Sequence, residues 1–415
     1  MQFFLDSSLQ KIAATQRGHL VSFDSFNLHP RILANVHSLG YQIPTPIQNQ
    51  SIPPVLLGQD VMGLAQTGTG KTAAFALPII QRLMTGPRSC VRALIVAPTR
   101  ELAQQIHEAF VTLCQNTGLR SVTLYGGVNI NPQIKNLERG VEIVVACPGR
   151  LLDHVQQKNI NLSKVEVLVL DEADQMFDMG FLPSIRRILR HLPKKRQTLL
   201  FSATMPMAID ELAYEVLYKP VVVKIGHSVP PTSVKQALFP VAVHLKSGLL
   251  IKILRKTNME SVLVFTRTKH GAKQVAKKLV EAGFRATSLQ GNLSQNKRQS
   301  AMNGFRDGSI QILVATDIAS RGIDVASISH VINYDMPDTV EAYIHRIGRT
   351  GRAEKMGEAF TLITHEDHAE VRNVERVLGK KLEQCKLEDF DYAAAGPSQG
   401  TLGSIAVKKY YRGRR

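Results

Sequence analysis

"DVMGLAQTGTGKT" spans residues 60–72, and its reading decides the fold. It opens on a short apolar run and turns on glycine and threonine, and the helical "AAFALPIIQRLM" follows. Strand, glycine turn and helix make the first half of a βαβ unit. In such a turn the backbone N–H groups around Gly68, Thr69 and Gly70 can wrap phosphate oxygens, and the helix N-terminus adds a favourable dipole. Lys71 would reach the outer phosphates, and the Thr72 hydroxyl would ligate Mg²⁺. Ala65 stands where the strict pattern has glycine, and Gln66 and Thr67 complete the turn.

A second stretch gives the cradle a reaction. "VEVLVLDEAD" (165–174) is a buried strand ending in two adjacent carboxylates, Asp171 and Glu172. Downstream of a phosphate turn they read as a Mg²⁺-holding aspartate and a glutamate that orients or deprotonates water. Together the two stretches indicate nucleotide hydrolysis.

Similar runs recur along the chain. "RALIVAP" (92–98), "VEIVVAC" (141–147) and "QTLLFSAT" (197–204) read as further buried parallel strands. "SVLVFTRT" (261–268), "QILVATD" (311–317) and "HVINYD" (330–335) repeat the rhythm, and "KHGAKQVAKKLVEAG" is a helix with a glycine stop. Alternating strands and helices predict an α/β fold with parallel sheets, and 415 residues suit more than one domain. "KIGHSVPPTSVKQ" (224–236) has the Pro-Pro and Ser/Thr content of a linker. The expected plan is an N-terminal extension at 1–21, domains at 22–225 and 234–390 around a linker at 226–233, and a tail at 391–415. In the tail, "AAAGPSQGTLGS" reads as a flexible spacer before "KKYYRGRR".

Bulk properties narrow the partners. A formal charge of +17 and a pI near 9.8 favour a polyanion. Cys90, Cys114, Cys147 and Cys385 lie far apart with no metal spacing, which predicts free thiols in a reducing compartment. No apolar run reaches the roughly 18 residues of a membrane span, and "MQFFLDSSLQK" lacks a signal-peptide core. The expectation is a soluble, cytoplasmic protein with no membrane partner.

With these pieces in order, the chain resembles the DEAD-box RNA helicases of superfamily 2, over roughly residues 22 to 380. The four letters are Asp171-Glu172-Ala173-Asp174. The resemblance implies two tandem RecA-like domains, each a parallel sheet flanked by helices, with the ATP site in the interdomain cleft. The wording around the motifs is similar to the bacterial RhlE-type branch. "GYQIPTPIQ" (40–48) resembles the motif that reads adenine, which implies Gln48 as reader with Tyr41 and Thr45 beside it and Phe23 as a stacking aromatic. Asp174 is expected to meet Ser202 and Thr204 of "SAT" and His345, coupling hydrolysis to strand separation. An RNA track is implied along Pro98, Thr99, Arg100, Gly127 and Arg150 of the first half. In the second half it runs along Thr266, Arg267, Gln295, Arg298, Thr316, Asp317 and Arg321. These are residues for backbone contact, so binding should be largely independent of RNA sequence. Cys147 replaces the usual threonine before "PGR" and removes one possible phosphate contact.

"HRIGRTGR" (345–352) resembles the last family motif, which implies that Arg349 and Arg352 reach the γ-phosphate, with Asp324 at the ribose. The second half has no phosphate turn of its own, so these arginines must serve the nucleotide held by Lys71 and Thr72. The implied function is RNA-stimulated ATP hydrolysis with Mg²⁺, coupled to domain closure and brief, non-processive separation of short RNA duplexes. An ATP-gated RNA clamp that holds without useful unwinding stays open at this stage.

Overall fold

The structure, a computed structural model, describes residues 22–65, 68–225, 234–257, 259–317, 328–351 and 357–394. The extension at 1–21, the linker at 226–233 and, of the tail, residues 395–415 lie outside the described residues. The chain forms two compact units, each built on one seven-stranded sheet. The first unit holds β1 (Val61–Leu64), β2 (Ala93–Val96), β3 (Ser121–Leu124), β4 (Ile143–Ala146), β5 (Val167–Leu170), β6 (Gln197–Ser202) and β7 (Val221–Lys224). The second holds β8 (Val234–Pro240), β9 (Val262–Phe265), β10 (Ala286–Leu289), β11 (Ile312–Ala315), β12 (His330–Asn333), β13 (Gly357–Ile363) and β14 (Glu383–Gln384).

All strand pairings are parallel. Helices cover both faces, which is why the central strands carry no polar face. Period-two geometry sends Ala93 and Ile95 of β2 into one core and Leu94 and Val96 into the other. β5 divides in the same way, with Val167 and Val169 on one face and Leu168 and Leu170 on the opposite face.

The strand order is β3-β4-β2-β5-β6-β1-β7 in the first sheet and β10-β11-β9-β12-β13-β8-β14 in the second. Each position in the second is the corresponding first-sheet strand moved on by seven, so the two domains share one topology. The stretch 224–236 is narrower as a linker than its composition suggests, because Lys224 closes β7 and Val234 opens β8.

Candidate functional site

In the first domain the site forms where β1, β5 and β6 end. β1 runs into the glycine turn, and Gly70 caps the helix Lys71–Leu83 at φ +93°. A Cβ there would lie 2.5 Å from Gln48 Nε2, so only glycine fits the close approach. Gln48 Nε2 donates to the Gly70 carbonyl at 3.1 Å, and its Oε1 accepts the Thr45 N–H at 2.9 Å. The amide still has one N–H and one lone pair, enough for a two-point contact to an adenine edge. Phe23 is buried against Phe26 and Tyr41, its ring 6.0 Å from the tilted Tyr41 ring. Tyr41 is the more exposed of the two, at 39% against 1%. Gln66 and Thr67 lie outside the described residues.

Lys71 is buried and donates from Nζ to the Ala65 carbonyl at 3.0 Å. Asp171 follows β5 directly and is 2% exposed. Burial pushes its carboxyl up to about 6; Lys71 opposes the shift, and the Glu172 charge adds to it. A buried carboxylate with such a neighbour is a site that a small divalent cation would relieve. Thr72, half-buried on the first helical turn, supplies a hydroxyl of the hard-oxygen type Mg²⁺ prefers. The donor chemistry therefore fits Mg²⁺. Glu172 sits beside Asp171 at φ 53°, a left-handed backbone that costs a non-glycine residue about 1 kcal/mol or more. That conformation turns the chain sharply from β5 into the helix Ala173–Asp178.

Asp174 is held from the next strand. Its Oδ2 accepts the Ala203 and Thr204 N–H groups at 3.2 and 3.0 Å and the Thr204 hydroxyl at 3.1 Å. Ser202 Oγ accepts the Asp174 N–H at 3.2 Å and donates to the Thr204 carbonyl. The end of β6 is thus tied to the carboxylates after β5.

The other first-domain residues lie at the ends of β2, β3 and β4. Pro98 and Thr99 are buried, and the Thr99 hydroxyl caps the helix Arg100–Leu113 by accepting the Leu102 N–H at 3.2 Å. Arg100 packs across Gly127, where φ is +76° and a Cβ would fall 2.2 Å from Arg100 Nη1. Arg150 donates to the Val128 carbonyl at 3.1 Å and lies 3.4 Å from Asp153, yet its Nε and Nη1 lack hydrogen-bond partners. Cys147 is the N-cap of the helix Pro148–Gln156 and makes no side-chain cap bond. Burial pushes its thiol up to about 12. All four cysteines are free thiols.

In the second domain the arginine series separates by role. Arg346 is the second-last residue of the helix Val340–Ile347 and is 3% exposed. It clasps Asp317 through Nε at 2.6 Å and Nη2 at 2.7 Å, and Nη1 donates to Asn333 and to the Asp335 carbonyl. Its guanidinium lies over the Phe265 ring at 5.0 Å. Asp317 therefore presents both carboxylate oxygens to a protein arginine. Sequence reasoning gave Arg346 no role of its own; the signal was its place inside a helix that ends before Arg349. Arg349 follows in the turn and is buried, and His345 is half-buried on the helix.

Thr266 is buried and donates to the Thr268 carbonyl at 3.2 Å, while Thr268 caps the helix Lys269–Glu281. Arg267 is anchored by its N–H to Asp335 and through Nη2 to the Met336 carbonyl. Gln295 opens the helix Gln295–Arg306, and Arg298 donates to the Gln290 carbonyl at 3.4 Å. Thr316 is half-buried just after β11. Arg321, Asp324 and Arg352 lie outside the described residues. Among the described residues no helix is long and apolar enough to cross a membrane.

A glycine cradle capped by a buried lysine, with paired carboxylates at the end of the neighbouring strand, defines a P-loop nucleotide hydrolase. The chain matches the DEAD/DEAH box helicase family over residues 45–212 and the helicase conserved C-terminal domain over residues 245–354. It is 40% identical over 384 residues to the DEAD-box ATP-dependent RNA helicase CshA of Bacillus subtilis strain 168, covering 92% of this chain and 77% of the relative. The ATP-dependent RNA helicase CshA of Listeria monocytogenes is 41% identical, with 91% and 72% covered. Among solved structures, Mss116p bound to single-stranded RNA and AMP-PNP superposes with TM-score 0.81 at 28% identity, covering 89% of this chain and 80% of that one. S. cerevisiae Dbp5 bound to RNA and ADP BeF3 gives TM-score 0.78 at 29% identity, covering 88% and 95%. This chain belongs to the DEAD-box ATP-dependent RNA helicases: it has two RecA-like domains, hydrolyses ATP and binds RNA.

Proposed function

We propose that this helicase works by linked closure of its two domains, producing local, non-processive separation of short RNA duplexes. The observation that carries the reading is a division of labour. The first domain holds the cradle, Lys71 and the carboxylates, whereas the second offers Arg349 and no phosphate turn. If ATP and RNA each contact both domains, each favours the closed form and so strengthens binding of the other. The domains are taken as 22–225 and 234–390.

In the closed form Gln48 and Tyr41, backed by Phe23, would receive the adenine, and Asp324 the ribose. Thr72 and Asp171 would hold Mg²⁺, which supplies charge neutralisation at the phosphate oxygens. Glu172 would orient and deprotonate the attacking water, and Arg349 and Arg352 would meet the charge that grows on the γ-phosphate. Asp174, Ser202, Thr204 and His345 would pass the state of that site to the RNA. Arg100, Gly127 and Arg150 of one domain would grip the RNA backbone together with Thr266, Arg267, Gln295, Arg298, Thr316 and Arg321 of the other. The bound RNA would be single strands and short duplexes, in the cytoplasm. The wording of the motifs supports an RhlE-like branch, although the two relatives described are named CshA.

Steady-state ATP hydrolysis with and without single-stranded RNA tests the reading, with Glu172→Gln as control. RNA should stimulate hydrolysis, and Arg349→Ala should lower the stimulated rate by about 10³-fold or more. An Arg349→Ala protein as fast as wild type would sink the closure account. RNA binding without duplex separation would put an ATP-gated clamp in its place.

A further inference from the structure

We propose that the first domain carries a second RNA-contact surface, at the end of its sheet opposite the ATP cradle. In a parallel sheet every strand starts at one end and finishes at the other, and the glycine turn and Asp171 lie beyond the finishing ends of β1 and β5. The segments that lead into β5 and β6 therefore meet at the starting end. Hydrogen bonds hold them side by side: the Gln197 N–H donates to the Glu166 carbonyl at 2.8 Å, and Arg82 bonds the side chains of both residues. β6 runs from Gln197 at this end to Ser202 beside Asp174 at the other, a separation of about 16 Å from the usual rise of a strand.

Both segments are basic. "KNINLSK" (158–164) holds Lys158 and Lys164, and "RRILRHLPKKR" (186–196) holds Arg187, Arg190, Lys194 and Lys195, all of them exposed. The helix Leu182–Leu189 buries Ile185 and Ile188 and so turns its arginines outward. Beyond it, Arg196 Nη1 donates to the Pro193 carbonyl at 2.8 Å, closing a turn whose intervening residues are Lys194 and Lys195.

The carboxylates around them are engaged elsewhere. Glu166 lies between Arg82 at 3.2 Å and Arg92 at 2.6 Å. Asp60, ahead of β1, accepts the Thr198 and Tyr218 N–H groups, and Glu142, ahead of β4, accepts those of Ser89 and Arg120. Asp153 lies 3.4 Å from Arg150, and Glu215 pairs with Arg186. Glu138 is exposed, but it precedes β4, two strands away from β5. Among the described residues, none of the four lysine and arginine positions from 187 to 195, nor Lys158 or Lys164, pairs with a carboxylate.

Exposed cations spread over two segments, with no cradle of backbone N–H groups, suit an extended polyanion better than one small anion. RNA is the polyanion that this family binds. Flexible lysines and arginines would meet its phosphates without reading bases. An anionic membrane fits less well, because no exposed large hydrophobic residue falls in either segment to insert among lipids. The surface therefore holds RNA that flanks the stretch lying in the track proposed above, and it takes no part in the hydrolytic chemistry.

Fluorescence anisotropy on the full-length chain across a salt series tests this. One probe is an oligouridylate of about eight nucleotides, within the site size of a single binding fold, and the other is a long polyuridylate. The variant is Lys164→Ala/Arg190→Ala/Lys194→Ala/Lys195→Ala, whose four side chains are exposed. Its affinity for the long RNA at low salt should fall about tenfold, and its salt slope by up to about 2.8 for four lost phosphate contacts. Affinity for the short RNA, and the ATP hydrolysis that it stimulates, should keep their wild-type values. Lys194→Glu/Lys195→Glu, which adds repulsion, should weaken the long RNA in the same selective way. Long-RNA affinity and slope unchanged in both variants would overturn the inference. Equal losses for the two RNAs would also overturn it, since a separate surface cannot touch the short one. Phosphatidylserine vesicles bound by wild type and released by the variants, with long RNA held unchanged, would give this face to a membrane instead. A wild-type protein whose hydrolysis ignores the short RNA would count against the closure mechanism alone, because the long-RNA comparison still reads this surface.

Discussion

At Cys147 the side chain, not the backbone, sets this chain apart. The residue has the extended φ/ψ of an N-cap, −84° and 142°, but its thiol makes no cap bond to the helix Pro148–Gln156. A hydroxyl accepts an N–H far better than a thiol does. Cys147→Thr should therefore stabilise the protein by about 1 kcal/mol. It should also tighten RNA binding, since the hydroxyl could serve a phosphate instead. A urea midpoint that fails to rise would count against this account of the cap. Asp171 shows the opposite balance, function at the expense of stability. Its folded pKa is raised, so the fold disfavours its anion. The penalty is absent below the ordinary carboxylate value of about 4. It grows as pH rises and is complete above about 6. Asp171→Asn should thus raise the melting temperature of ligand-free protein at pH 7, by an amount equivalent to about 1–3 kcal/mol. The gain should vanish near pH 4, and ATP hydrolysis should be lost at every pH. Equal melting shifts at both pH values would show that desolvation of the carboxylate is not the cause.

Elements differ in how plainly the sequence announces them. β2, β4, β5, β9 and β11 are wholly buried and read as continuous apolar runs, because each is covered on both faces. β3 and β10 stand at sheet edges and interleave polar residues, so "SVTL" and "ATSL" give a weak signal. β8 was obscured by its neighbouring Pro-Pro. The site is legible wherever chemistry is local, as in the glycine turn or the DEAD tetrad. It is hidden where two distant segments meet, as at Arg346 and Asp317 or Lys246 and Asp335. The Arg346 clasp ties the helix Val340–Ile347 to Asp317 beyond β11 with two hydrogen bonds and to Asn333 and Asp335 at the end of β12 with two more. Lysine cannot reproduce that planar fork. Arg346→Lys should destabilise the second domain by about 2–3 kcal/mol, since Asp317 and Asn333 lose partners in a partly buried place. Chemical unfolding followed by hydrogen exchange would locate the loss. Protection falling only in the first domain would refute the clasp.

The whole molecule repeats one topology and gives the two copies different chemistry. The first domain has the glycine turn, with the buried Lys71 bonded to the Ala65 carbonyl; in the second the loop ahead of the buried Lys246 has no glycine, and Lys246 is bonded to the Tyr334 carbonyl and to Asp335. On the proposed mechanism, that asymmetry is why a single nucleotide hydrolase would need arginines from its second half. The net charge of +17 acts at this scale too, because the RNA that this family binds is a polyanion. The tail's contribution can be separated from the rest by its salt dependence. Each phosphate contact to a single strand adds about 0.7 to the slope of log affinity against log salt. "KKYYRGRR" (408–415) contains five basic residues, so deleting 405–415 should lower the slope by up to about 3.5 if all of them engage RNA. The two tyrosines add stacking, which salt does not screen, so affinity should fall further than the slope alone predicts. ATP hydrolysis at saturating RNA should stay unchanged, because the residues that hold and cleave ATP lie in the domains. Fluorescence anisotropy across a salt series reads both quantities at once. Unchanged affinity and slope would make the tail a solvated spacer and assign the whole electrostatic grip to the two domains.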